Sequence, residues 1–94
     1  MRDPLRRPRS TVGLTDAPEP PGLRVVEELG PVMAERPTQL FGSLAKVVSE
    51  VEEELCHKAE AMGATHVVMV RVEVKSTLLS VGATARGLAV KAEV

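Results

Sequence analysis

The sequence lacks large aromatic side chains. Its 94 residues include one Phe and neither Trp nor Tyr. A core without rings must be built from Val, Leu, Ala and Met, and a chain this short buries only about 60–65% of the surface that its unfolded form exposes. A lone subunit would be marginally stable, which favours assembly with further copies. The chain also offers no aromatic platform on which single-stranded bases could stack.

Residues for catalysis are equally scarce. The two aspartates, Asp3 and Asp16, both lie in a proline-rich opening segment, so no Ser-His-Asp arrangement on rigid elements is available. Cys56 and His57 are helix neighbours whose side chains diverge by about 100°, which excludes a nucleophile–base pair. No glycine-rich phosphate loop occurs. We expect a protein that is not an enzyme and needs no cofactor.

Long apolar runs and a strong net charge are also missing. Runs such as residues 67–70 fall far short of the roughly 20 residues that span a bilayer, so we expect no membrane segment. A net charge of -1 argues against nucleic acid as a partner of the whole chain. No apolar segment follows the arginines of residues 1–9, so we expect no export signal. With its single cysteine, the chain is expected in the reducing cytoplasm.

Charge and proline divide the chain in two. Residues 1–9 carry four arginines and two prolines and are interpreted as a flexible basic tail, whereas residues 10–94 are interpreted as one domain. The tail suggests a weaker alternative function, the binding of an acidic polymer. Its candidate contacts are Arg2, Arg6, Arg7 and Arg9.

Periodicity predicts one helix, from about Leu40 or Ser43 to Met62. Apolar residues recur there at spacings of three and four, and Gly63 follows where a left-handed cap is needed. The apolar stripe consists of Leu44, Val47, Val48, Val51, Leu55, Ala59 and Met62.

The remaining segments are predicted to be strands. Residues 10–15 form a short strand, and residues 23–35 form a longer one with a bulge at Gly30–Pro31 and an end at residues 36–38. In residues 66–75, valines 68, 70, 72 and 74 point one way. Ser76 and Thr77 then turn the chain into residues 78–94. The predicted fold is α+β: a small antiparallel-type sheet, ordered strand-helix-strand-strand, with one amphipathic helix on one face.

One helix covers only one face of such a sheet. Apolar residues on the other face, together with small residues that allow close approach, predict an interface between copies of the chain. The predicted interface residues are Val67, Met69, Gly82, Ala83, Ala85 and Gly87.

A metal site is the alternative function. Its candidate ligands are Glu53, Cys56, His57 and His66, among which Glu53 and His57 share a helix face at a spacing of four. No pair has the spacing of a structural zinc site. The competing interpretation of each residue is structural: Cys56 as a small core residue, His57 on a solvated face, and His66 capping a strand end.

Three segments resemble the YbjQ-like family of small bacterial proteins, which is labelled heavy-metal-binding. Residues 22–35 are similar to its opening strand, of the type G-x-x-I-V-E-Y-L-G-x-V-x-G-E. Residues 59–68 resemble its helix exit, A-x-x-x-G-A-N-A-V-V, and residues 85–90 resemble its closing strand, A-S-G-T-A-V. The resemblance extends over about residues 13–92.

The resemblance implies a YbjQ-like or dodecin-like α+β subunit that assembles into a ring, usually a pentamer. It implies no settled biochemical activity. The chain departs from the pattern at Arg86 and Leu88, where the family has Ser and Thr. It also lacks the family's G-R-S motif and following tyrosine before the helix. These departures affect a site built by those segments and leave the scaffold intact.

Overall fold

The computed structural model describes residues 11–40 and 43–94 and contains four strands and one helix in those ranges. In chain order they are β1 (Gly13–Leu14), β2 (Arg24–Leu40), α1 (Leu44–Ala61), β3 (His66–Ser76) and β4 (Ser80–Glu93). The strands form one sheet in the order β1-β3-β4-β2, and α1 packs on one of its faces. The predicted α+β architecture is confirmed. The tail arginines Arg2, Arg6, Arg7 and Arg9 lie outside the described residues.

Helix α1 has the limits that its sequence predicts. Ser43 is the N-cap, and its hydroxyl oxygen accepts a hydrogen bond from the backbone N–H of Lys46 at 3.4 Å. At the other end Gly63 has φ +85°, and the N–H groups of Gly63 and Ala64 donate to the carbonyls of Glu60 and Ala59. This pair of bonds is a Schellman cap, which needs a residue without a Cβ at the left-handed position.

Strand β2 is longer than predicted. It continues through Pro37 to Leu40, with register shifts between Glu28 and Gly30 and between Arg36 and Gln39. The prediction that residues 36–38 end the strand is wrong, because β2 is an edge strand and a proline there leaves no ladder bond unmade. The bulge predicted at Gly30 is confirmed, with φ +133° at that residue.

Strand β3 contains a bulge that the alternating valines do not reveal. Its register against β4 shifts between Val68 and Arg71, and Met69 lies inside the shift with φ +52°. One extra residue inverts the faces, so that Val67, Val70 and Val72 contact the core beneath α1. The predicted single alternation from residue 68 to residue 74 is therefore wrong.

The short strand β1 makes the sheet mixed. It runs parallel to β3, with Gly13 opposite His66, and the N–H of Thr15 donates to the carbonyl of Val67 at 3.0 Å. A Cβ on Gly13 would lie 2.8 Å from the imidazole of His66, so glycine permits this close pairing. The three long strands pair antiparallel, as predicted.

The core lies between α1 and the sheet. Val51, Leu55 and Ala59 of the helix are fully buried against small residues of β4. Three residues predicted to form an intersubunit interface belong to this core instead, namely Val67, Ala83 and Ala85. Their small or branched side chains fit close helix–sheet packing rather than a free surface.

Candidate functional site

A shallow apolar groove lies on the face of the sheet that α1 leaves open. Its volume is about 510 Å³, and Met33 and Met69 in it are 55% and 47% exposed. We call it the sheet groove. It is lined by Pro31, Val32, Met33, Met69, Arg71, Arg86, Gly87 and Leu88. Exposed methionines give an adaptable apolar surface, suited to contact with another apolar surface.

The backbone around the β3 bulge presents Met69 to this groove. The N–H of Met69 donates to the carbonyl of Ala17, and the N–H of Val70 donates to the carbonyl of Thr15, both at 3.0 Å. The segment after β1 thus holds a methionine in the left-handed region, which side chains other than glycine and asparagine rarely adopt. Such strain persists only where surrounding bonds fix it.

Two arginines give the sheet groove a cationic edge. Arg71 and Arg86 lie directly opposite each other on β3 and β4. Arg86 donates to a carboxylate oxygen of Glu73 at 2.6 Å, whereas Arg71 forms no ion pair with any residue in the described part of the chain. Like charges on facing strands repel, so an anion near Arg71 would stabilise the arrangement.

A second groove runs along α1 beside β1. It has a volume of about 790 Å³, and its apolar wall is bordered by carboxylates. We call it the helix groove. It is lined by Leu14, Leu44, Ala45, Val48, Ser49, Glu52, Glu53 and Cys56. The subunit therefore has one apolar groove with a cationic edge and another with an acidic edge.

The predicted metal ligands do not come together. The thiol of Cys56 lies in the core and donates to the carbonyl of Val12 at 3.6 Å. His66 lies at the start of β3, where its Nδ1 and the hydroxyl of Thr65 are 2.9 Å apart. Within residues 11–40 and 43–94, no group of three His, Cys, Asp or Glu side chains is arranged to hold an ion.

Only the Glu53–His57 pair retains the predicted proximity. The Nε2 atom of His57 is 3.7 Å from a carboxylate oxygen of Glu53, and its Nδ1 atom is 3.9 Å from Glu60. Nε2 is buried and has no hydrogen-bond partner among the described atoms. Beside it, burial raises the pKa of the Cys56 thiol, and Glu52 and Glu53 raise it further. A neutral thiol is a weak metal ligand and a weak nucleophile.

The predicted interface residues divide between the core and the sheet groove. Met69 and Gly87 line the groove. Gly82 is buried, and a Cβ there would lie 3.0 Å from backbone atoms of Arg36 and Thr38 on β2. Met33 and Arg71 also line the groove and were not predicted from the sequence. Side chains of a strand alternate between the two faces of the sheet. Counting this alternation onward from the Gly30–Pro31 bulge could have placed Met33 on the face of the groove.

Comparison with solved structures identifies the fold. A crystal structure of a protein of unknown function from Pediococcus pentosaceus, which belongs to the DUF74 family, matches with a TM-score of 0.69 and 10% identity. The match covers 87% of this chain and 98% of that one. The chain has the fold of a DUF74 protein. DUF74 is another designation of the YbjQ-like family, so the resemblance seen in the sequence is confirmed at the level of the fold.

The matching protein is itself described as having unknown function. The sequence matches no family model and no curated protein. Among the described residues, no helix has the length and apolar character needed to cross a membrane.

Proposed function

We propose that the protein is a non-enzymatic homo-oligomer, a ring whose assembly forms a binding or scaffold surface. The sheet groove carries this proposal. Met33 and Met69 lie exposed in it, although the described core contains no aromatic ring and a chain this short buries a modest share of its surface. Apolar patches of this kind on small proteins mark interfaces. Covering the groove with another copy removes the methionines from water.

The charges beside the two grooves support contact between unlike surfaces. The cationic edge at Arg71 fits the acidic edge at Glu52 and Glu53. A contact between two different surfaces of the same subunit repeats around an axis and forms a ring when the rotation between neighbours closes. The YbjQ-like resemblance implies five subunits in such a ring.

Light scattering after size-exclusion chromatography tests the proposal. The wild-type chain is expected to elute as one multi-subunit species at micromolar concentration. Met33→Lys places a charge in the sheet groove and is expected to dissociate that species. Val26→Lys is the matched control, because Val26 is similarly exposed and does not line the groove. A monomeric wild type, or equal dissociation by both variants, contradicts the proposal.

A metal role is the second candidate, favoured by the unpartnered Nε2 of His57 beside Glu53. Two ligands from one subunit hold an ion weakly, so a tight site needs further ligands from another copy. Elemental analysis of natively purified protein tests this role. Stoichiometric metal that is lost in His57→Ala supports it, and metal-free wild-type protein ends it.

A further inference from the structure

The turn between β3 and β4 presents two leucines to solvent. Leu78 is 98% exposed and Leu79 is 54% exposed. The turn is well defined, because the N–H of Thr77 donates to the carbonyl of Ser80 at 2.8 Å and their hydroxyls are 2.6 Å apart. We call Leu78 and Leu79 the leucine tip. Leu78 protrudes at the end of the hairpin, and both leucines also border a small hollow beside Leu44 of α1.

The subunit itself gives no reason for apolar residues at this tip. Leu78 and Leu79 both lie outside the positive-φ region, so leucine fits the backbone of the turn. Leu78 nevertheless gains almost no burial there, and Leu79 is more than half exposed. A contact outside the subunit gives both leucines a physical reason.

We propose that the leucine tip of one subunit inserts into the helix groove of a second copy. This inference rests on the proposed assembly and names one of its contacts. The helix groove is concave, with apolar walls at Leu14 and Val48, and its volume of about 790 Å³ accommodates two leucine side chains. A convex apolar point and a concave apolar groove are complementary in shape.

Charge near the tip favours the same occupant. Lys75 lies three residues before Leu78, is exposed, and forms no ion pair with the described residues. Glu52 and Glu53 border the helix groove and would face Lys75 as well as Arg71, since both cations lie on β3. Lys75 alone is a poor anchor for a lipid surface, since membrane-binding segments carry clusters of basic residues.

Mixed crosslinking tests the contact directly. Two chains are prepared in a Cys56→Ala background, one with Leu78→Cys and one, carrying an affinity tag, with Val48→Cys. A disulfide between a tagged and an untagged chain is intermolecular by construction. In the control mixture, Val94→Cys replaces Leu78→Cys. We expect the yield of the Leu78→Cys mixture to be about tenfold higher, because the contact raises the effective concentration of the two thiols. Equal yields overturn the proposal.

A turn replacement gives an independent test. Leu78→Asn combined with Leu79→Gly supplies residues that turns accept generally, so the subunit is expected to fold normally by circular dichroism. Its assembly, followed by sedimentation velocity over a dilution series, is expected to weaken about tenfold in dissociation constant. Assembly as tight as that of the wild type overturns the inference while leaving the proposed function standing. A monomeric wild type removes both.

Flotation with vesicles of phosphatidylcholine and phosphatidylglycerol distinguishes a second copy of the chain from a lipid surface as the partner of the leucine tip. Wild-type protein is expected to remain unbound. Vesicle binding that the turn replacement abolishes, with assembly unchanged, overturns the inference and assigns the tip to a lipid surface.

Discussion

At the scale of single residues, Cys56 is a core residue whose environment disfavours the thiolate. Burial raises the pKa of its thiol, and neighbouring glutamates act in the same direction. A raised pKa in the folded state means that the neutral thiol stabilises the fold at pH values below the ordinary thiol pKa. That contribution disappears as the pH rises through the raised value.

We therefore expect the free energy of unfolding of the wild type, relative to Cys56→Ala, to be constant at neutral pH and to fall above about pH 9. Urea denaturation of both chains across this range measures the difference, in which titrations common to both cancel. Alkylation of Cys56 at neutral pH is expected to be slow until urea unfolds the chain. Rapid alkylation of the folded protein would show that the thiol is accessible and ionised.

Packing within the subunit explains why residue 87 is a glycine. A Cβ there would lie 2.6 Å from Cγ1 of Val67 and 2.9 Å from the carbonyl oxygen of Val68. We expect Gly87→Ala to lower the free energy of unfolding by about 1–3 kcal/mol through overpacking. Urea denaturation at several protein concentrations checks this. A loss that vanished on dilution would assign Gly87 to an intersubunit contact instead.

At the scale of elements, Met69 shows how a local distortion builds the groove. Its positive φ allows the bulge that turns Val67 inward and Met69 outward. We expect Met69→Val to be less stable than Met69→Gly by about 1–3 kcal/mol, because β-branched residues strongly resist this backbone conformation. Thermal unfolding of the two variants measures the difference. Equal stability would mean that the bulge relaxes when its residue changes.

The same bulge marks the limit of prediction from sequence. Helix α1 could be placed because a period of 3.6 residues and a capping glycine are both local signals. A bulge adds one residue without a local signal and exchanges the two faces, so Val67 was assigned to the wrong side. Pro37 was taken as a strand end because its edge position depends on the whole sheet. Ser76 and Thr77 resembled a turn, whereas the turn itself consists of Leu78 and Leu79.

The candidate site could be predicted only in outline. An open apolar face followed from having one helix for one sheet, and Met69 and Gly87 were placed on it. Ala83 and Ala85 were wrongly placed on this open face, since small residues suit a contact with a helix as well as a contact with another subunit. Arg71 could not be assigned because its position opposite Arg86 depends on strand register.

At the scale of the whole molecule, we expect the sheet groove of one copy to contact the helix groove of another copy. Arg71→Glu makes the sheet groove repel the acidic helix groove, and we expect it to weaken assembly. Glu52→Arg added to the same chain is expected to restore part of the loss, since the pair then attracts with the charges exchanged. Dissociation constants from sedimentation velocity measure the coupling. Additive losses would show that the two residues do not face each other.

Native mass spectrometry of the wild-type chain over a micromolar dilution series tests assembly most directly. It reports the number of subunits and any retained metal in one spectrum. We expect a single closed oligomer that persists on dilution, with five subunits as the YbjQ-like resemblance implies. A spectrum containing only the 10.1 kDa subunit at every concentration would contradict it.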